Sequence, residues 1–427
     1  MEKNMLCETK ADSHMPNINQ EIDLCIPSEI GKLRTVLLKR PGVELCNLTP
    51  DSLEELLFDD IPYLDTAQRE HDEFVQLLRN NDTEVLYLED LVSEVLTESS
   101  YKLNVISELL SVSGLKNIKI TTALMEYLLQ FSGKELCEKL MAGIKKNEIK
   151  ITDNSLSSQS AKKEQFWLQP IPNLYFTRDP ASVFGNMISL NSMYAPTRQR
   201  ESTFINSVLQ YHPRFSQATK IDLRMNAGSI EGGDILVLDE NTLAIGISQR
   251  TSAEAIEQFA HELFFNKKYH ESHKISKILA IKIPVSRAFM HLDTVLTQVD
   301  HQKMTMHRDI AHTSSIYKLS KADGQQVKCE ELTGSIEVIL SRELDKKMEL
   351  IYCGGDDFIT GSREQWSDGA NTLTLRPGEV FVYQRNVITN RLLQENDITV
   401  HQIPCSELSR GRGGPRCMSM PIVRDGI

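Results

Sequence analysis

Apolar residues in this chain never run far. No stretch approaches the roughly 18 consecutive apolar residues of a membrane span. The opening MEKNMLCETKADSHMPNINQ has no apolar segment of the kind a secretory signal needs. Bases are in short supply too: 47 lysines and arginines against 59 acids leave a formal charge of -12. That balance opposes nucleic acid and anionic membrane as main partners. The eight cysteines include no CxxC pair. Such scatter argues against a disulfide framework or a zinc site and predicts reduced thiols in a cytoplasmic protein. GRGGPR, 411–416, lacks the Lys-Ser/Thr and the following helix of a phosphate loop. Only two tryptophans occur, Trp167 and Trp366, and both read as packing residues.

The chain has 427 residues, 40% hydrophobic and 25% charged, the profile of a soluble globular protein. Its length suggests two or three domains or one large domain built of repeats. The order of elements repeats even though identities do not. GGDILVLDENTLAIGISQRT reads as a hairpin, Asp234–Leu238 and Thr242–Ser248. Ala255, Ile256, Phe259, Ala260 and Leu263 follow at helical spacing, with Ser252 as N-cap. SKILAIKIP is then a buried strand, followed by MHLD, Met290–Asp293.

The same series recurs near the C-terminus. DGANTLTLRPGEVFVYQRN is a hairpin, VITNRLLQEN a helix and ITVHQIP a strand, and RGRGGPRC follows. Cys417 therefore takes the slot that His291 takes one repeat earlier. Three further helix–strand pairs end in FTRD at Phe176–Asp179, EGGD at Glu231–Asp234 and GGDD at Gly354–Asp357. Five units too small to bury a face alone should pack together, and a ring would bring their tails to one axis. That arrangement gathers Asp179, Glu231, Asp234, His291, Asp293, Asp356 and Cys417. Residues 89–164 interrupt the first unit with helical patterning, as in Leu124, Met125, Leu128 and Leu129. SLSSQSAKKE is the polar linker back. The expected division is a flexible tail, 1–21, a catalytic domain, 22–88 and 165–427, and an inserted helical bundle, 89–164.

A cysteine with a histidine is a nucleophile with its proton acceptor. Arg412 and Arg416 are cations that would lower the thiol pKa, and Arg416 could instead shape a gate. Several carboxylates beside a thiol suit a planar cation, because a guanidinium fork matches carboxylates bidentately. Attack by Cys417 on the central carbon of a guanidinium or amidinium gives a tetrahedral intermediate. His291 can protonate the leaving nitrogen and then activate water, with Glu231 orienting it. A metal held by His291, Asp293 and Asp356 is a weaker reading of the same residues.

SEIGKLRTVLLKRPG, LLFDDIPYLDTAQREHDEF, PNLYFTRDP, RQRE, EGGD, GISQRTS, MHLDTV, REQWSDGAN and SRGRGGPRCM resemble, in this order, the arginine deiminase family. The resemblance runs from about Ile22 to the C-terminus. It implies the five-bladed pseudo-symmetric α/β propeller of the guanidine-modifying superfamily, with an inserted helical bundle. It also implies hydrolysis of L-arginine to L-citrulline and ammonia through a covalent thiouronium, without metal or cofactor. On this resemblance Cys417 is the nucleophile, His291 the general acid/base and Glu231 its support, and Asp179 and Asp293 hold the guanidinium. Asn173, Arg198, Arg250 and Arg412 would meet the carboxylate and amino end, Gly411 lies in the same binding loop, and Phe176 would line the aliphatic stem. Asp234 falls among the substrate-binding positions, with a structural role beside its glycines. A homo-oligomer, dimer or tetramer, is expected. The alternatives are a related hydrolase of agmatine, methylarginine or peptidyl arginine, an amidinotransferase, or a silent arginine-binding propeller.

Overall fold

Asp239, Glu240 and Asn241 turn the chain between Ile235–Asp239 and Thr242–Ile247, and the Asn241 N–H donates to Asp239 Oδ1 at 2.9 Å. The helix Ala253–Phe265 follows, started by Ser252, whose Oγ accepts from the Ala255 N–H at 3.2 Å. Its apolar face, Ile256, Phe259 and Leu263, is buried. The strand Lys277–Lys282 then pairs parallel to Thr242–Ile247. Antiparallel hairpin, helix and parallel third strand make one unit.

The chain, a computed structural model describing residues 21–151, 155–156, 165–286 and 288–427, contains this unit five times. Its strands are Met420–Arg424, Leu33–Leu38 and Glu84–Tyr87 in the first. Ala181–Phe184, Met187–Leu190 and Thr219–Asp222 form the second, and the unit just described is the third. Leu296–Gln298, Lys303–Met306 and Glu349–Tyr352 form the fourth, and Leu373–Arg376, Glu379–Tyr383 and Thr399–Ile403 the fifth. Each has an antiparallel first pair and a parallel second pair. The last strand of the chain pairs with the first, so both ends of the fold meet in one sheet.

The fourth unit departs from the sequence reading in two places. The helix–strand pair that ends in GGDD reads in sequence as the helix EELTGSIEVILSREL, from Glu330, and the strand MELIYC, but Glu330–Leu332 belong to the strand Gln326–Leu332. That strand pairs with Ser315–Ala322 across a turn where Gly324 sits at φ 71°, and the hairpin extends the sheet of the third unit. The helix itself spans only Ile336–Glu343. Second, GGDD is not the tail of its unit. The helix Phe358–Trp366 intervenes after it, and the segment leading into the next hairpin is Asp368–Asn371.

Helices Leu88–Val95, Ser99–Val112, Ile118–Leu128 and Gly133–Ala142 occupy most of the interruption in the first unit. Their buried Val92, Leu109, Leu124 and Leu140 belong to one continuous apolar cluster with Phe184, Phe204 and Phe259 of the second and third units. The expected N-terminal tail, Glu21 apart, and nearly all of the linker lie outside the described residues. No helix among the described residues is long and apolar enough to cross a membrane. Cys46, Cys137, Cys329, Cys353, Cys405 and Cys417 are free thiols. Cys25 is disulfide-bonded, which the scattered cysteine pattern did not predict.

One buried acid ties the first unit to the C-terminal loop. Glu70, 5% exposed on the helix Leu64–Asn80, accepts from the backbone N–H groups of Ser406, Glu407 and Leu408 and from Ser406 Oγ, at 2.6 to 3.0 Å. Glu70→Ala leaves these donors without their acceptor. We expect a loss of about 3 kcal/mol in urea unfolding. A loss below about 0.5 kcal/mol would show that the loop is held by other contacts.

Candidate active site

Four unit tails converge. Asp179 precedes the strand Ala181–Phe184, Glu231 the strand Ile235–Asp239, His291 and Asp293 the strand Leu296–Gln298, and Cys417 the strand Met420–Arg424. Backbone bonds lock the tails together: the Gly232 N–H donates to Asp179 O at 2.9 Å and the Arg178 N–H to Cys417 O at 3.2 Å. The tail Asp368–Asn371 contributes Asn371, whose Oδ1 accepts from the Cys417 N–H at 3.1 Å and whose Nδ2 donates to Asp293 O at 3.0 Å. Asp356, expected here, is elsewhere: its side chain is 94% exposed and pairs with Arg308. The extra helix after GGDD carries the chain away before it returns at Asp368.

A narrow cleft opens onto these residues. Asn173, Phe176, Asp179, Arg198, Arg250, His291, Gly411, Arg412 and Cys417 line it, as expected, together with Leu57 and Met290. Leu57 is the second residue of LLFDDIPYLDTAQREHDEF and Met290 opens MHLD, so the motifs held both, although neither residue type signals chemistry. Asp234 does not line the cleft. It is wholly buried and accepts from the Leu292 N–H at 2.8 Å and from Ser248 Oγ at 2.7 Å. It thereby fixes the loop that presents His291.

His291 Nε2 lies 2.8 Å from Glu231 Oε2, and its Nδ1 lies 3.9 Å from Asp179 Oδ1. Burial opposes the imidazolium, but Asp179 and the Glu231 hydrogen bond win and raise His291 to about 9. Burial likewise opposes the Glu231 charge, but the bond from His291 and the nearby Arg250 lower it to about 2. The pair is therefore ionic at neutral pH.

The Cys417 thiol is 3.6 Å from Asp293 Oδ2, which also accepts from Arg416 Nη1 at 2.7 Å. Burial, then Asp293 and Asp179, push the thiol well above its ordinary value, and Arg416 opposes this only weakly. Arg416 thus acts in the expected direction but is outweighed, and the net shift is upward where the two cations were expected to bring it down. Arg416 is 1% exposed and spent on Glu29 and Asp293, so its charge is already met. Arg412 stacks on Trp366, with Cζ 3.5 Å from the ring centroid, and pairs with Asp59 at 3.1 Å.

Two carboxylate oxygens here have no hydrogen-bond partner and are shielded from solvent: Asp179 Oδ1, on the cleft, and Asp293 Oδ1, whose residue, like Glu231, lies behind the lining rather than in it. Buried acceptors in that state are expensive unless a ligand meets them. The partner oxygen of Asp179 is taken by Arg198 Nη1 at 2.8 Å, while Arg198 Nε and Nη2 both reach Glu201 at 2.8 Å. Arg198, expected at the carboxylate, thus bonds acids in this structure. Arg250 differs: its Nε and Nη1 have no hydrogen-bond acceptor. Gly411 and Gly413 allow Phe176 to approach. A Cβ on Gly411 would lie 1.9 Å from Tyr175 Oη, and one on Gly413 2.4 Å from Phe176 Cε1.

Among the described residues, Asp179, Glu231 and His291 form the one set with metal-ligand spacing. Arg198 and His291 already supply that set with cationic donors, so the residues do not fit a metal ion well. The centre offers a thiol, a charged imidazole and two unused carboxylate oxygens. It can bind a planar cation and carry out nucleophilic and acid–base steps on it.

A family profile described as arginine deiminase matches residues 54–424. A protein named arginine deiminase from Bacillus cytotoxicus is 49% identical over 410 residues, covering 94% of this chain and 98% of its own. One of the same name from Clostridium perfringens is 48% identical over 413 residues, covering 95% and 98%. Among solved structures, the amidinotransferase SxtG from Microseira wollei superposes with a TM-score of 0.56 at 12% identity, covering 95% and 98%. A Pseudomonas aeruginosa DDAH mutant complexed with citrulline gives 0.51 at 15%, covering 91% and 99%. The N-terminal domain of ArgZ, a cyanobacterial arginine dihydrolase, gives 0.52 at 12%, covering 92% and 98%. At these identities the likeness is one of α/β fold.

Proposed function

The chain belongs to the arginine deiminase family, and from that premise we infer that it hydrolyses L-arginine to L-citrulline and ammonia. The observation that carries the reading is the unpartnered Asp179 Oδ1 on a cleft that also holds Cys417 and His291, with a second unpartnered oxygen, Asp293 Oδ1, on the carboxylate whose Oδ2 lies 3.6 Å from the Cys417 thiol. A guanidinium meets both, and its charge replaces the counter-cation the thiol lacks. Binding therefore lowers the thiol pKa where the resting site raises it, and the thiol proton passes to solvent, because His291 is already protonated. The thiolate adds to the guanidinium carbon. His291, protonated at rest, passes its proton to the departing nitrogen from Nδ1, since Nε2 is committed to Glu231. Ammonia leaves and an S-alkylthiouronium remains on Cys417. His291, now neutral, takes a proton from water, the hydroxide adds, and the C–S bond breaks to release citrulline.

Arg250, with its unused donors, and Arg412 take the α-carboxylate. Asn173 meets the amino end, Phe176 lies along the methylenes and Gly411 gives the loop its close approach. That clamp favours arginine over agmatine. Arg250→Ala should lower kcat/KM for L-arginine about a hundredfold, since a charge-assisted pair is lost. Agmatine, which has no carboxylate, should be affected only a few-fold, and equal losses on both would remove this role from Arg250.

The five units and the joining of first and last strands support a closed five-bladed propeller made of 22–88 and 165–427. Residues 89–164 are then a helical bundle inserted in its first blade. The family resemblance carries the further reading of a cytoplasmic homo-oligomer, dimer or tetramer. The test of function is a rapid quench with L-arginine. We expect equal amounts of citrulline and ammonia and a transient adduct on Cys417 by intact mass. Turnover of agmatine or methylarginine in preference to L-arginine would reassign the substrate.

A further inference from the structure

A second cavity, larger than the active-site cleft, lies where Lys39–Glu44 meet the helices Leu88–Val95 and Gly133–Ala142. No step of the reaction uses it. The charges on its Lys39–Glu44 side are spent. Arg40 grips Asp72 through two bonds of 2.7 Å, and Lys39 is bonded to Glu44. Glu44 also accepts from the Gly42 N–H at 2.8 Å, so the chain's own carboxylate fills the one place in this loop suited to an anion.

On the facing side Glu89 stands apart. Its Oε1 accepts from the Arg40 N–H at 3.0 Å, while its Oε2 is shielded from solvent and has no hydrogen-bond partner. Burial pushes this carboxyl up to about 7, with the nearby Lys39 charge opposing the rise. The unpartnered oxygen repeats the feature that marks Asp179 and Asp293 in the active site. Asp90 and Glu138 on the same wall add negative charge, against a single Lys134.

We propose that this cavity binds a small primary alkylammonium, of diamine size, whose head donates to Glu89 Oε2. The choice of ammonium over guanidinium follows from the geometry. One carboxylate oxygen is already taken by the backbone, so the bidentate fork has nothing to match, whereas a compact ammonium needs a single acceptor. A second ammonium a few methylenes away reaches Asp90 and Glu138. The site is thus selective against the substrate's own head group.

The test uses the full chain carrying Cys417→Ala, its active site filled with L-arginine, and putrescine as titrant in a calorimeter. One putrescine per chain is expected. Glu89→Gln should weaken it about tenfold or more, and guanidine hydrochloride should bind at least about tenfold more weakly. Because the Gln variant could fold poorly, crystals of the parent protein soaked in putrescine provide the second measurement. Density for a nitrogen within hydrogen-bond distance of Glu89 Oε2 supports the assignment. No heat with putrescine, binding indifferent to Glu89→Gln in a folded variant, or density only elsewhere overturns it. Citrulline production without putrescine reads the active site alone, so either idea can fail without the other.

Discussion

Cys417→Ala should make no measurable citrulline, a loss of about a thousandfold or more in kcat, while folding normally and still binding L-arginine. The nucleophile forms the bond that divides the reaction into two easier steps, and nothing nearby can replace it. Asp179 and Asp293 are carboxylates poised for a cation, and His291 is a cation itself at neutral pH. Stability should change little. The resting thiol is neutral and makes one long contact, 3.6 Å to Asp293 Oδ2, while Asp293 keeps its bond from Arg416. Quench assays for citrulline and calorimetry with L-arginine check both halves. Turnover within about tenfold of the parent would end the covalent route.

Asp293→Asn should move two observables in opposite directions. The carboxylate accepts from Arg416 on one oxygen and leaves the other for substrate. An amide must turn its NH₂ toward either Arg416 or the guanidinium, and both are donors. Losing one partner of a buried pair is expensive, so kcat/KM should fall by about a thousandfold, close to 4 kcal/mol. After burial, Asp293 is the largest influence raising the Cys417 thiol. Removing its charge lowers that pKa, so more thiolate is present at a given pH. Alkylation of the resting enzyme by iodoacetamide near neutral pH should therefore speed up as turnover collapses. Slower or unchanged alkylation would mean that Asp293 does not control the thiol.

The role of Arg416 follows from the same geometry. Its charge lowers the neighbouring thiol less than burial, Asp293 and Asp179 raise it. Held by Glu29 through two bonds of 3.1 Å, it fixes Asp293 from behind. Glu29, 387 residues earlier in the chain, lies in the motif SEIGKLRTVLLKRPG, but nothing in that motif announced this role.

Alternation and helical spacing identified most of the hairpins, helices and parallel strands in advance, because those patterns depend on neighbours a few residues away. They also put Cys417 in the slot of His291, and the structure sets both on one cleft. The same reasoning failed at GGDD, where the helix Phe358–Trp366 shifts the tail to Asp368–Asn371 and replaces Asp356 with Asn371. It missed Leu57 and Met290, whose part is shape. It also misjudged the sign of the thiol shift: Arg412 and Arg416 are visible in the sequence as nearby cations, but not as cations already paired. Residue types and local periodicity settle which groups this protein owns and the elements that carry them. Whether a charge is free, matched or stripped of water depends on Glu29, Asp59 and Asp293, which only the folded chain brings to Arg412, Arg416 and Cys417. Burial and Coulomb energy are functions of distance in space, and the order of residues does not supply that distance.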